Sequence, residues 1–241
     1  MSTLPSKVST TENKTASAGV ATGMHFFPTH GHRFLVPISD GRILHRALYG
    51  KTPTPESYAV SSARPFPDAA AVAFTKFGDG EIFAASWGDG TVAVFHGTSS
   101  VPSQIWHTWS YHSPSPLTST YNLSNLVPLM SLHWSPNRPA VFFVQLQNKI
   151  IAFDLLANDY LPVVEEIKND NWGPDVPCKS KLLFSVVRDI STPAKSSVII
   201  SHSENNIIIR RELGVYWSCS PLKRVEEDEL VLLKEVVERA I

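Results

Sequence analysis

Histidine, at nine positions, is the residue type here with most scope for chemistry, since neutral imidazole binds metals and titrates near neutral pH. The tightest pair is His30 and His32, beside His25. A metal site needs three or four converging ligands, and no cysteine pair, acidic cluster or His-Glu-x-x-His lies near these residues at ligand spacing. They are therefore expected to be ordinary loop and strand histidines. A serine nucleophile would want a Gly-x-Ser-x-Gly elbow, which the sequence lacks. The glycine patterns that cradle phosphates ahead of a helix are missing too, because Gly78, Gly80, Gly88 and Gly90 flank short apolar runs. Asp40, Asp89 and Asp154 could be imagined as catalytic acids. Asp40 and Asp89, however, each precede a glycine in a tight turn, where a carboxylate accepts hydrogen bonds from the backbone. No catalytic residue, metal, cofactor or small-molecule substrate is expected, and the chain is not expected to be an enzyme.

The elements that would position any functional surface are set by composition and pattern. The chain has 241 residues, enough for one large all-β domain. Hydrophobic residues make up 43% and charged residues 18%, ordinary for a chain with a real core. A net charge of −1 and a pI near 6.8 give no electrostatic case for nucleic acid or a membrane surface. No run approaches the roughly 18 apolar residues of a membrane span. Cys178 and Cys219 cannot build a disulfide framework and fit a reducing compartment, so a cytoplasmic location is expected. Asn13 and Asn122 begin glycosylation sequons that would carry no meaning there. Residues 1–22 are Ser/Thr-rich and read as a disordered tail. Stretches 51–68, 108–122 and 168–180 read as loops rich in Pro, Ser and Asn.

Between the loops lie short β-branched and aromatic runs, which is strand chemistry. Several are paired through tight turns: ISDGRIL (38–44), WGDGTVAV (87–94), LQNKIIAF (146–153) and SENNIIIR (203–210). Asp-Gly readily adopts the positive φ that a two-residue hairpin demands, and Gln-Asn and Glu-Asn do so less well. The last turn residues, Gly41, Gly90, Asn148 and Asn205, are separated by 49, 58 and 57 residues. A hairpin recurring at that interval with flanking strands is the pattern of a four-stranded propeller blade. About four blades result, over roughly 24–50, 71–109, 129–167 and 181–213, within a propeller region 23–213. The segment 221–241 differs. In VEEDELVLLKEVVERAI (225–241), apolar residues at 230, 233, 236, 237, 240 and 241 form one face of an amphipathic helix. Glu226, Glu227 and Asp228 near its start complement the helix dipole.

Strand-turn-strand units with Asp-Gly turns and an SLHWSP first strand look like degenerate WD40 repeats, the nearest Trp-Asp equivalent being Phe153-Asp154. The segment SLHWSPNRPAVFFVQLQNKIIAFDLL (131–156) resembles the blade of dynein intermediate chains, with Trp-Ser-Pro, then Arg-Pro-x-x-Phe, then a strand ending in Asp-Leu. NIIIRREL (206–213) followed by an acidic-to-leucine terminal helix is similar to the end of the intermediate chain of cytoplasmic dynein 2, the retrograde motor of intraflagellar transport. The resemblance covers roughly residues 70–241. It implies an all-β, WD40-type β-propeller and a non-catalytic subunit that binds the dynein heavy chain and works beside a second intermediate chain. It implies residence on the cytoskeleton and in a cilium or flagellum, at the axoneme or basal body. Dynein light chains would bind a long N-terminal region, and the short segment ahead of the first blade here puts that partner in question. About four blades, where such rings usually have seven, lead us to expect a piece of a larger ring. The alternative function is a generic WD40 interaction scaffold unrelated to motors, such as a ubiquitin-ligase adaptor or chromatin reader. A propeller hydrolase would need converging ionisable residues, which the sequence does not show.

Six residues are candidate partner contacts: Trp134, Arg138, Trp106, Leu230, Leu233 and Val237. Each also has a structural role to weigh. Trp134 ahead of Ser135-Pro136 suits blade packing better than a ligand platform. Trp106, like Trp109, belongs to an outer strand, where packing on the next blade is favoured over anchoring a partner. Arg138 is expected to hold the loop between the first and second strands of its blade. The helix face of Leu230, Leu233, Val236, Val237 and Ala240 either packs on the last blade, covering a sheet edge, or docks in a partner groove. The former is favoured, because open edges invite aggregation.

Overall fold

The structure, a computed structural model, describes residues 19–60, 69–75, 77–88, 90–107, 131–145, 150–157, 163–167, 182–188, 196–202, 207–214, 217 and 226–239. Four antiparallel sheets follow one another along the chain. The first comprises β1 (His25–Phe26), β2 (Arg33–Pro37), β3 (Ile43–Ala47) and β4 (Ser57–Tyr58). The second comprises β5 (Ala69–Phe74), β6 (Ile82–Trp87), β7 (Thr91–His96) and β8 (Gln104–His107). The third comprises β9 (Ser131–Trp134), β10 (Val141–Gln145), β11 (Ile150–Asp154) and β12 (Val163–Ile167). The fourth comprises β13 (Leu182–Arg188), β14 (Ser196–His202) and β15 (Ile207–Glu212). Within each sheet, strands neighbour one another in sequence order. The first strands of successive sheets lie side by side, β5 against β9 and β9 against β13. This is a partial WD40-type β-propeller: meandering blades around a shared inner edge, followed by a helix, α1 (Glu226–Glu238).

Blades 2 and 3 show why the sequence reads as continuous apolar runs. Every residue of β6, β10 and β11 is buried, as expected of sheets covered on both faces. The two-residue side-chain period then divides each strand between two cores. Ile82, Ala84, Val92 and Val94 face Leu132, Trp134, Phe142, Val144, Ile151 and Phe153 across the seam between blades 2 and 3. Their in-between neighbours Phe83, Ala85, Trp87, Ala93 and Phe95 face Phe27, Leu35, Ile43 and Tyr58 of blade 1. Val141, Phe143, Ile150 and Ala152 turn to Val186, Leu213 and Trp217 on the blade 4 side. Each such fully buried aliphatic or aromatic side chain contributes about 1.5–3 kcal/mol, so the seams hold the blades together.

The Asp-Gly turns behave as their chemistry requires. Gly41 (φ 87°) and Gly90 (φ 85°) both occupy left-handed backbone. In the first turn, Asp40 Oδ1 accepts the Arg42 backbone N–H at 3.0 Å. The side-chain hydrogen bond from Arg42 holds the Asp40 carboxyl below its usual range. The expected turns at Asn148 and Asn205, Cys178 and Cys219, both sequons, Trp109 and most of the expected tail and loops lie outside the described residues.

Three readings need correction. Within the presumed tail, Ala21 forms a β-bridge with Ile38, and Ser39 N–H donates to the Val20 carbonyl at 2.9 Å, so residues 19–22 belong to blade 1. Within the presumed loop 51–68, β4 pairs with β3 at Tyr58↔Ile43 and Ser57↔Leu44, extending the first blade past residue 50. The terminal helix does pack intramolecularly, but not on the last blade: Leu233 and Val237 enter the seam between blades 2 and 3.

Candidate functional site

The helix-covered end of that seam gathers five of the six candidate residues, all but Trp106. The loop joining β9 to β10 starts at Ser135, whose Oγ accepts the Arg138 backbone N–H at 3.1 Å and fixes the turn. Trp134, 5% exposed, donates its indole N–H to the Pro139 carbonyl at 2.6 Å and packs tilted against Phe142. This places the Arg138 side chain, 3% exposed, at the end of β11. Its Nη2 lies 2.9 Å from Asp154 Oδ2 and 2.7 Å from Glu229 Oε1, and its Nε donates to the same Glu229 oxygen at 3.1 Å. Both carboxylates are themselves buried. Burial opposes the guanidinium charge, but Glu229 and Asp154 outweigh it and hold the Arg138 pKa above its ordinary value.

Glu229 is on α1, one turn before Leu233 and two before Val237, so one helical stripe carries the acid and both buried aliphatics. Leu230, half-buried, lies over Gly78, where an added Cβ would sit 2.9 Å from its Cδ2; Gly78 also has φ 66°. Lys234 Nζ reaches Asp79 Oδ2 at 2.7 Å on the β5–β6 loop. Burial tends to raise the Asp79 pKa, but the Lys234 hydrogen bond and charge, the Glu81 backbone N–H and the His96 charge together outweigh it and leave the carboxyl below its usual range. Trp134, Arg138, Leu233 and Val237 thus offer no side chain to a partner while α1 is seated: each is buried by this chain. Trp106 lies on β8 opposite Val92 of β7. Glu229 is not among the residues expected from spacing. The signal was present: a carboxylate lying i, i+4, i+8 with the apolar stripe, where a solvated face would place it elsewhere.

A second polar group crosses between blades 1 and 2. Arg33 Nη1 pairs with Glu81 Oε1 at 2.8 Å while its Nε donates to His45 Nε2 at 3.1 Å. The His45 proton is therefore assigned to Nδ1, which faces the Pro55 carbonyl and the Tyr58 hydroxyl, each at 3.1 Å. Tyr58 in turn donates to the Gly97 carbonyl at 2.6 Å. Burial first, then the Arg33 charge, lowers the His45 pKa to about 4. Burial pushes the Tyr58 phenol up. His30 lies 3.4 Å from Glu81, and His32 stacks on Tyr49. Burial lowers the His25 pKa. Among the described residues, no group of three His, Cys, Asp or Glu side chains is placed to hold a metal. A pocket of about 450 Å³ beside blade 1 is lined by residues including His32, Arg33, Tyr49, Lys51 and Thr98. These arrangements fix blades and surfaces.

No family model matches the chain. It is 31% identical over 148 residues to the cytoplasmic dynein 2 intermediate chain 1 of Mus musculus, a match taking in 58% of this chain and 13% of that protein. In structure it resembles the crystal structure of the Cps50 (Swd1) β-propeller domain of Myceliophteria thermophila, with a TM-score of 0.51 and 10% identity. That superposition covers 82% of this chain and 56% of the other. The structural likeness shows the propeller fold. Among the described residues no helix is long and apolar enough to cross a membrane.

Proposed function

We infer that this chain is a non-catalytic WD40-type scaffold serving as an intermediate-chain component of a dynein motor complex, where it binds the heavy chain alongside a second intermediate chain and supports retrograde intraflagellar transport. The observation that carries this reading is the 31% identity over 148 residues to a cytoplasmic dynein 2 intermediate chain. The blade architecture agrees with it, since propellers present partners with loop-built faces on a rigid frame. On this reading the chain works on the cytoskeleton and in the cilium, and it uses no cofactor. Light chains stand as the partner with least support.

Affinity purification of the tagged chain from ciliated cells, followed by mass spectrometry, tests this. A dynein heavy chain and a second intermediate chain should be recovered above a tag-only control. A soluble, intact bait that recovers neither overturns the motor assignment. Cullin-type or histone partners in their place would leave a propeller scaffold of another kind.

A further inference from the structure

The chain presents α1 to the seam between blades 2 and 3 as a ligand is presented to a groove. One wall is the β5–β6 loop, with Gly78 under Leu230 and Asp79 against Lys234. The other is the β9–β10 loop, with Arg138 on Glu229. The floor is the apolar seam that takes Leu233 and Val237. Asp228, Val231, Glu235 and Glu238 on the helix, and Arg239 just after it, remain exposed. A 13-residue helix is marginal in water by itself, so its order comes from this one face.

The charge arrangement decides whether such a helix can leave. A buried lone arginine would forbid it, because an unpaired buried ion is costly. Here, with the helix seated, Arg138 also has Asp154 at 2.9 Å, a carboxylate from its own blade that does not leave with Glu229. Glu229 is thus read by the arginine without being needed to neutralise it.

We propose that the seam between blades 2 and 3 is a helix-recognition groove that selects an acidic residue followed at i+4 and i+8 by branched aliphatics, and that the chain's own segment 226–238 is its exchangeable resident. This does not depend on the motor assignment. Any helix entering the groove in its place must carry the same pattern, with a basic residue one position after the first aliphatic to meet Asp79.

The test uses the full chain. Leu233→Asp with Val237→Asp disables the resident helix and leaves both walls intact. A fluorescein-labelled peptide of residues 221–241 is titrated by anisotropy into this variant and into the unaltered chain. Saturable binding to the variant is expected, at least about tenfold tighter than to the unaltered chain. The same peptide carrying Glu229→Lys should bind at least about tenfold more weakly. No saturable binding to a variant with native-like circular dichroism overturns the proposal, as does indifference to Glu229→Lys. Should the variant not fold, hydrogen exchange on the unaltered chain decides. Amides of 230–238 exchanging by local opening, faster than those of β6 and β7, support exchangeability. Exchange only through global unfolding overturns it.

Discussion

Desolvating a guanidinium and two carboxylates costs several kcal/mol per ion, and only close pairing recovers it. The group formed by Asp154, Arg138 and Glu229 therefore makes an asymmetric prediction. Arg138→Met strands two buried carboxylates against each other and should cost about 3–5 kcal/mol. Glu229→Gln leaves the Arg138–Asp154 pair and keeps a hydrogen-bond acceptor, so it should cost about 1–2 kcal/mol. Urea denaturation of both variants checks the order, and an equal cost would show that the arginine is not shared. His45 makes a separate prediction in pH. Its folded pKa, about 4, lies below the ordinary 6.5, so the folded state holds it neutral while the unfolded chain takes up a proton. Its contribution is complete above pH 6.5 and is lost as pH falls toward about 4, up to roughly 3 kcal/mol. His25, lowered by burial, acts in the same direction. The depressed carboxyls of Asp40 and Asp79 act in the more acidic range, below their ordinary 3.8. The urea midpoint should fall between pH 7 and 4.5, and His45→Gln should flatten that slope. An unchanged midpoint in the unaltered chain would refute it.

Helix α1 is held by two kinds of contact, and their magnitudes differ. Leu233 is fully buried, and Leu233→Ala should cost about 2–4 kcal/mol through lost transfer and a residual cavity. Lys234 and Asp79 are a third to a half exposed, and Lys234→Ala should cost less than about 1 kcal/mol. Chemical denaturation of both variants compares them, and a larger loss for Lys234→Ala would make the helix an electrostatic attachment. The apolar stripe that makes Leu233 matter was legible in the sequence, because helical periodicity names a face. What that face touches was not legible: periodicity carries no information about a seam built 78 to 155 residues earlier, from Ile82 to Leu155. The hairpin turns at Gly41 and Gly90 were legible because positive φ restricts the residue type. The strand β4 was not, since two residues, Ser57 and Tyr58, show no alternation and owe their place to pairing with Leu44 and Ile43. Glu229 was overlooked because a carboxylate near a helix start reads as a partner for the dipole until a cation is found facing it.

At the scale of the molecule, the recurring interval between turns announced blades, and the two-residue period within them specifies what each blade face meets. Blades 2 and 3 are covered on both faces. Blade 1 gives only one face to blade 2. On its other side Phe26 and Phe34 form a tilted pair, their rings 5.5 Å apart, on the same face as Val36 and Leu44. Phe26 is 44% exposed and the other three are half-buried. These are the residue types that fill the internal seams, placed on a face that no described residue covers with a further sheet. Arg46, opposite Phe34, and Ser57, opposite Leu44, share this face, and the apolar patch between them lowers its free energy by meeting another. The 241-residue chain purified alone should therefore self-associate, its sedimentation coefficient rising with concentration. Val36→Lys combined with Leu44→Glu places opposite charges at directly paired positions on that face, where they can satisfy each other in water. This variant should sediment as a monomer while keeping the circular dichroism of the unaltered chain. A concentration-independent monomer for the unaltered chain would mean that the face is covered by this chain's own residues, and that blade 1 closes the arc from its own sequence.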